Sequence, residues 1–257
     1  MPVIPSRAES ASKLGRPSPG DDAHRVARSP GHVWWAVPAG TLSAMGSHYP
    51  NGEEPSDEQI RQALVETVDA LRQADIKFLL IGGMSTARFA RPRPTNDIDV
   101  FVRPDAAGPA LEALTAADFT TEETDPYWLY KGFKYGVLVD VIFRSTGDLY
   151  LDDEMLQRGD ERQHLGVTVP FVSPEDLLVI KAVAAAEHSP NHWYDALAVI
   201  GRCDLDWEYV LRRARQSGPR RLVSLLLYAE SIDLAVPAEV IEELFEVVHP
   251  RPPEVMA

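Results

Sequence analysis

The chain has 257 residues, 45% of them hydrophobic, and a formal net charge of −14, enough for one large domain or two small ones with a real core. It contains no apolar run of about 18 residues or more, which argues against a membrane-spanning helix, and its single cysteine, Cys203, excludes a disulfide framework and points to a reducing, cytoplasmic setting. Residues 1–45 carry a net charge of +2, so the remainder carries −16, and an acidic body argues against broad duplex binding, which depends on neutralising phosphates.

Residues 1–50 are rich in Pro, Ser, Gly, Ala and Arg and show no sustained period. They read as a disordered tail. No apolar stretch follows the early charges, so the start does not read as a signal peptide. Its Arg and Ser content leaves a transit peptide open, Glu9, Asp21 and Asp22 count against one, and Met45 is an alternative start. Ser56-Asp57-Glu58-Gln59 has the form of a helix opening, with Ile60, Leu64, Val68 and Leu71 following at helical spacing. Lys77–Ile81 reads as a buried strand entering a tight turn at Gly82-Gly83, and Met84–Ala90 as a short helix broken by Arg91-Pro92-Arg93-Pro94. Asp97–Val102 is a second strand.

Residues 105–117 read as an outer helix weakened by Gly108-Pro109, and Trp128–Tyr130 with Val137–Phe143 as a strand pair. Residues 148–162 are polar and partly helical, and Val167–Val172 is expected to be an edge strand. Ser173-Pro174-Glu175-Asp176 is a strong helix start, with a Ser cap, Pro at the first position and acids in the first turn. That helix runs to about Ala186, and residues 192–201, 206–216, 219–230 and 237–248 read as further helices. The order predicts an α+β fold: a mixed β-sheet with flanking helices over 56–172, then a helical region over 173–250.

The chemistry concentrates between Leu79 and Val102. Asp97 and Asp99 lie two apart on a strand, so both carboxylates project from one face while Ile98 and Val100 enter the core. Adjacent carboxylates repel unless a cation neutralises them, and a hard ion such as Mg²⁺ prefers carboxylate oxygen. Asp140 is a lone charge in the apolar run VLVDVIF and needs a partner. If its strand lies beside residues 97–102, it completes a three-carboxylate site for one or two metal ions. Gly82-Gly83 after a strand lets backbone N–H groups approach a phosphate closely, with the hydroxyls of Ser85 and Thr86 near at hand.

Gly-Gly followed by Asp-x-Asp on a strand and a later strand Asp resembles the nucleotidyltransferase superfamily, and within it the AbiEii/MenT-like branch found as toxins in toxin–antitoxin systems. The resemblance rests on Gly82-Gly83, RPRPTNDIDVFV (91–102), VDVIF (139–143) and SPEDLLVIKAVAAAEHSPNHWYDALAVI (173–200), and covers roughly residues 60–200. It implies Asp97, Asp99 and Asp140 as ligands of Mg²⁺ or Mn²⁺, Lys181 as a contact of the nucleotide triphosphate, and Asp195 as part of the same segment. The chain departs from the branch at His192, which stands where an Asp is usual, so a base role at that position does not carry over.

Each candidate has a plainer alternative. Asp97 and Asp99 can be salt-bridged to Arg91 or Arg93, Asp140 can be a surface charge on an edge strand, and Lys181 can sit on a solvated helix face. Arg91, Arg93 and Thr95 can reach NTP or acceptor phosphate or simply form a polar loop. Ser85 can serve as a turn residue, and Asp195 can orient Lys181 or cap local packing. Ser189-Pro190 separates His188 from His192, so these do not form a zinc pair. Arg212, Arg213, Arg215, Arg220 and Arg221 form a dense basic region, either a solvated helix face or a groove for RNA phosphate. The leading functional expectation is Mg²⁺-dependent transfer of NMP from NTP to an RNA end, above all a tRNA, by a toxin with a cognate antitoxin. The alternatives are nucleotidylation of a protein or of an aminoglycoside- or lincosamide-like drug, and a catalytically silent NTP- or partner-binding module. The same fold serves many acceptors, so the resemblance does not choose among them.

Overall fold

The computed structural model describes residues 54–250 apart from Arg93 and His188. The expectations for residues 1–50, Arg93 and His188 therefore lie outside the described residues. Those described belong to one compact unit, Ser47–Ala257.

Helix α1 (Asp57–Gln73) opens on a capping box: the Ser56 hydroxyl accepts from the Gln59 N–H at 3.3 Å, and Gln59 Oε1 accepts from the Ser56 N–H at 2.8 Å. Strand β1 (Phe78–Leu80) follows, then α2 (Gly82–Phe89), β2 (Asp97–Val102), α3 (Ala107–Ala116) and the strands β3 (Thr120–Asp125), β4 (Leu129–Lys134) and β5 (Val137–Ile142). A short α4 (Asp153–Arg158), β6 (Asp160–His164) and β7 (Val167–Phe171) lead into five helical segments. These are α5 (Pro174–Ala184), α6 (Asn191–Arg202), α7 (Trp207–Gln216), α8 (Pro219–Ser231) and α9 (Ala238–Val248). Helix α5 is capped as its sequence predicts, with Ser173 Oγ accepting from the Asp176 N–H at 3.1 Å and Pro174 at the first position.

The described strands form one seven-stranded mixed sheet in the order β3-β4-β5-β2-β1-β7-β6, parallel at β2/β5 and β1/β7 and antiparallel elsewhere. This is the expected α+β class. Two local readings need correction. Strand β7 is not an edge, because the polar β6 (DERQH) pairs along its outer side. Gly108-Pro109 does not weaken α3: both residues fall in its first turn, where a proline removes no helical hydrogen bond.

Alternation along β2 and β5 sorts side chains between two faces. One face carries Ile98, Val100, Val139 and Val141, fully buried with Leu64, Val68 and Leu114 of α1 and α3. Burying side chains of this size contributes roughly 1.5–3 kcal/mol each. On the other face, Leu79, Ile81 and Phe101 join a second core with Leu177, Leu178 and Val179 of α5 and with Val210, Leu225 and Leu244 of α7–α9. The second core spans both sequence regions, so the sheet floor and the C-terminal helices share buried side chains. Among the described residues no helix is long and apolar enough to cross a membrane.

Candidate active site

Strands β2 and β5 lie side by side in register, with Asp99 opposite Asp140 and Asp97 opposite Leu138. Paired residues project to the same side of a sheet, so Asp97, Asp99 and Asp140 share the face that also carries Phe101. Asp140 sits in the interior of the sheet, between β4 and β2, which removes the edge-strand reading. Its partner across β4 is Lys131, whose Nζ donates to Asp140 Oδ1 at 2.9 Å. Lys131 escaped the sequence reading. The signal was there, a Lys in mid-run in LYKGFK, but its meaning depends on strand register.

The Gly-Gly turn is packed against this carboxylate row. The Ile81 N–H donates to the Asp99 carbonyl at 3.0 Å, and the Gly83 N–H donates to Asp99 Oδ2 at 3.4 Å. Gly82 has φ +65°, and a Cβ there would overlap Asp99 Oδ2 and lie 2.9 Å from Asp99 Cβ. A Cβ on Gly83 would overlap Thr95 Oγ1 and lie 2.8 Å from Thr95 Cβ. Glycine is therefore required at both positions for the α2 N-terminus to seat against Asp99 and Thr95. Ser85 leaves the candidate nucleotide set: it is fully buried, and its Oγ donates to the Leu80 carbonyl at 2.8 Å, fastening α2 to β1.

Behind the turn lies a buried polar hub. Asp195 of α6 is 0% exposed and receives Lys181 Nζ at 3.2 Å and Arg91 Nη2 at 3.0 Å. The Thr86 hydroxyl lies 2.9 Å from the Gly82 carbonyl and 3.4 Å from Asp195 Oδ2. Lys181 is itself 2% exposed, so the solvated-face reading fails and its ammonium is held inside the protein on Asp195. Arg91 is engaged here and with Asn191 Oδ1 at 3.4 Å. His192 is half-buried at the start of α6.

Three carboxylates of hard oxygen chemistry on neighbouring strands suit a divalent cation. Among the described residues, however, no three His, Cys, Asp or Glu side chains converge closely enough to hold an ion as they stand. The physical reason is visible in two of the rotamers: Asp99 is turned to the Gly83 N–H and Asp140 to Lys131. The backbone register suits a metal; for an ion to be held, Asp140 would have to exchange Lys131 for it, while Asp99 would keep Oδ2 on the Gly83 N–H and offer Oδ1.

Four of the five arginines in the basic region are engaged with carboxylates or a carbonyl. Arg212 pairs with Glu154 at 2.5 Å, Arg215 with Glu243 at 2.5 Å, and the Arg221 side chain donates to the Ala185 carbonyl. Arg213, 7% exposed, reaches Asp152 at 2.5 Å and the fully buried Asp176 at 2.9 Å. Asp176 also accepts from the Tyr209 hydroxyl at 2.9 Å and from Ser173 Oγ at 3.0 Å. Burial pushes the Asp176 carboxyl above its ordinary range, against the pull of Arg213, Tyr209 and Ser173. Burial and the neighbouring Asp176 likewise raise the Tyr209 phenol. Asp176 had read as a first-turn acid of α5; it is also the anchor that ties α5 to α7.

Among solved structures, the antibiotic-resistance factor ANT(2″)-Ia is 16% identical with a TM-score of 0.44, over 69% of this chain and 94% of that one. The lincomycin-bound lincosamide antibiotic adenylyltransferase LnuA is 12% identical with a TM-score of 0.41, over 57% of this chain and 98% of that one. An antigenic nucleotidyltransferase-like protein from Paracoccidioides brasiliensis is 17% identical with a TM-score of 0.39, over 66% and 94%. No curated protein sequence matches the chain. Residues 37–231 match the family described as "Uncharacterised nucleotidyltransferase". That match spans well over half of the chain, and the protein belongs to this nucleotidyltransferase family.

Proposed function

We propose that the chain transfers NMP from an NTP to an acceptor hydroxyl on the Asp97–Asp99–Asp140 face, with Mg²⁺ or Mn²⁺ as the metal. The observation that carries this reading is the in-register pairing of Asp99 with Asp140, with Gly82 pressed against the Asp99 carboxylate. A bound divalent cation would neutralise the triphosphate and favour attack by the acceptor oxygen. Asp97, Asp99 and Asp140 hold that cation. The N–H groups at the start of α2 approach the phosphates, because the two glycines leave no side chain in the way. Thr95 lies against the same turn, and Arg93 is carried over from the sequence reading as a phosphate contact. Asp195 fixes the position of α2 through Thr86 and holds Lys181, whose ammonium, in the sequence reading, neutralises the triphosphate as charge develops on the leaving pyrophosphate.

The acceptor in the toxin reading is an RNA end, above all a tRNA, with an antitoxin as partner. A second reading is favoured by a specific observation: Arg212, Arg213 and Arg215 are all ion-paired, in a chain of net charge −14. Such a surface suits a cationic drug-like acceptor better than a polyanion. Both are tested by incubating the purified chain with Mg²⁺ or Mn²⁺, α-labelled NTPs and, separately, total RNA, a protein extract, aminoglycosides and lincosamides. Label transfer lost in Asp99→Asn names the acceptor class. No Asp99-dependent transfer or pyrophosphate release with any of them sinks the catalytic reading in favour of a silent binding module.

A further inference from the structure

Lys131 stands in mid-β4 between two carboxylates. Its cross-strand partner on one side is Asp140 of β5 and on the other Glu122 of β3. With Asp99 beyond Asp140, the four residues form one charged row across four strands on a single face. The ammonium is bonded to Asp140, and the two side chains are only 14% and 19% exposed, whereas Glu122 is exposed.

Asp140 cannot serve a divalent ion and the Lys131 ammonium with the same oxygen, and the two cations repel at such distances. Lysine carries its charge on a flexible four-carbon stem, and cross-strand neighbours lie about 5 Å apart at Cβ. Glu122 is therefore within reach of the displaced ammonium. We propose that Lys131 is a positioning residue that exchanges carboxylates: it holds Asp140 in the metal-free protein and passes to Glu122 when Asp140 joins the metal ligands. The inference rests on the metal-dependent reading above. It gives the metal-free protein a way to tolerate clustered carboxylates, and it sets a threshold on metal affinity that the Glu122 side chain tunes.

The test is Mn²⁺ binding by isothermal titration calorimetry on the full chain: wild type, Lys131→Met, Glu122→Gln, the double variant and Asp99→Asn. Lys131→Met is expected to bind Mn²⁺ about tenfold tighter, the scale of one charge pair at this range. In the same variant, melting without metal should fall and the Mn²⁺-induced rise in melting temperature should grow. Glu122→Gln alone is expected to weaken binding about threefold and to have no effect in the Lys131→Met background, because the two act through one ammonium. Unchanged or weaker Mn²⁺ binding in Lys131→Met overturns the exchange, as does a Glu122→Gln effect of equal size in both backgrounds. Wild-type binding that is absent, or that survives Asp99→Asn, is a different result: it removes the carboxylate metal site itself and the exchange with it.

Discussion

Replacing Gly82 by alanine tests the geometry on which the site depends. Two costs follow from the structure. Gly82 has φ +65°, a left-handed conformation that costs an L-residue roughly 1–2 kcal/mol. The new Cβ would also overlap Asp99 Oδ2 and sit 2.9 Å from Asp99 Cβ, so the carboxylate must rotate away from the Gly83 N–H. The first cost lowers stability. At roughly 2–4 °C per kcal/mol for a chain of this size, it lowers the melting temperature by about 2–8 °C. The second cost falls on the site: with Asp99 displaced, Mn²⁺ binding and nucleotidyl transfer should drop nearly as far as in Asp99→Asn. Gly108→Ala is the control. A Cβ there meets nothing within 4 Å in the first turn of α3, and the change should be neutral or stabilise by about 0.5–1 kcal/mol. Differential scanning fluorimetry with and without Mn²⁺ reads both effects. Gly82→Ala with wild-type melting and an undiminished Mn²⁺ shift would refute the close approach of the turn to Asp99.

Three further outcomes follow from the buried charges. Asp195→Ala should cost about 3–5 kcal/mol, because Lys181 is left buried without its counter-charge; urea unfolding should show the combined Lys181→Met/Asp195→Leu variant recovering most of that loss. Asp176→Ala should be similarly severe, since Arg213, Tyr209 and Ser173 all converge on its carboxylate, and a loss below about 1 kcal/mol by urea unfolding would contradict a buried anchor. Burial alone would raise the Asp152 carboxyl, but hydrogen bonds from Arg213 and the Met155 N–H hold it below its ordinary value. Its contribution is therefore present above the ordinary carboxylate value and lost as pH falls through the lower folded value. Asp152→Asn should lose about 1 kcal/mol at neutral pH, a figure reduced by partial exposure, and a melting series should show the wild-type advantage vanishing toward acid pH.

Signals confined to one segment were legible in the sequence. The Ser56 and Ser173 caps and the DIDVFV alternation each encode their structure within a few residues and appear where expected; the Gly-Gly pair, read as a turn ahead of the helix, forms the first two residues of α2. Strands β3 and β6 were not legible, because TTEETD and DERQH are polar edge strands with few buried side chains, and their pairing comes from the neighbouring strand. The same limit applies to the site. Asp140 needed a partner by desolvation alone, but which residue supplies it depends on the β4/β5 register, which places Lys131 there. Likewise the 14-residue interval between Lys181 and Asp195 crosses the break at Ser189-Pro190, and only the packing of α5 on α6 turns it into a 3.2 Å contact.

The charge distribution bears on how an acidic chain can take an anionic substrate at all. Among the described residues, Lys131 is committed to Asp140, and Lys181 and Arg91 to Asp195. The arginines of α7 are committed to carboxylates of α4, α5 and α9 or of the segment leading into α4. Under the proposed function, attraction of a triphosphate therefore rests on two other sources. One is the set of backbone N–H groups at the start of α2, whose access the two glycines secure. The other is the divalent cation drawn by three carboxylates. The nucleotide then depends on the metal: without it, Asp97 and Asp99 repel the phosphates. An acidic surface is thus compatible with nucleotidyl transfer when the donor arrives as its metal complex, and the same surface bears most heavily on the choice of acceptor, which brings no metal of its own.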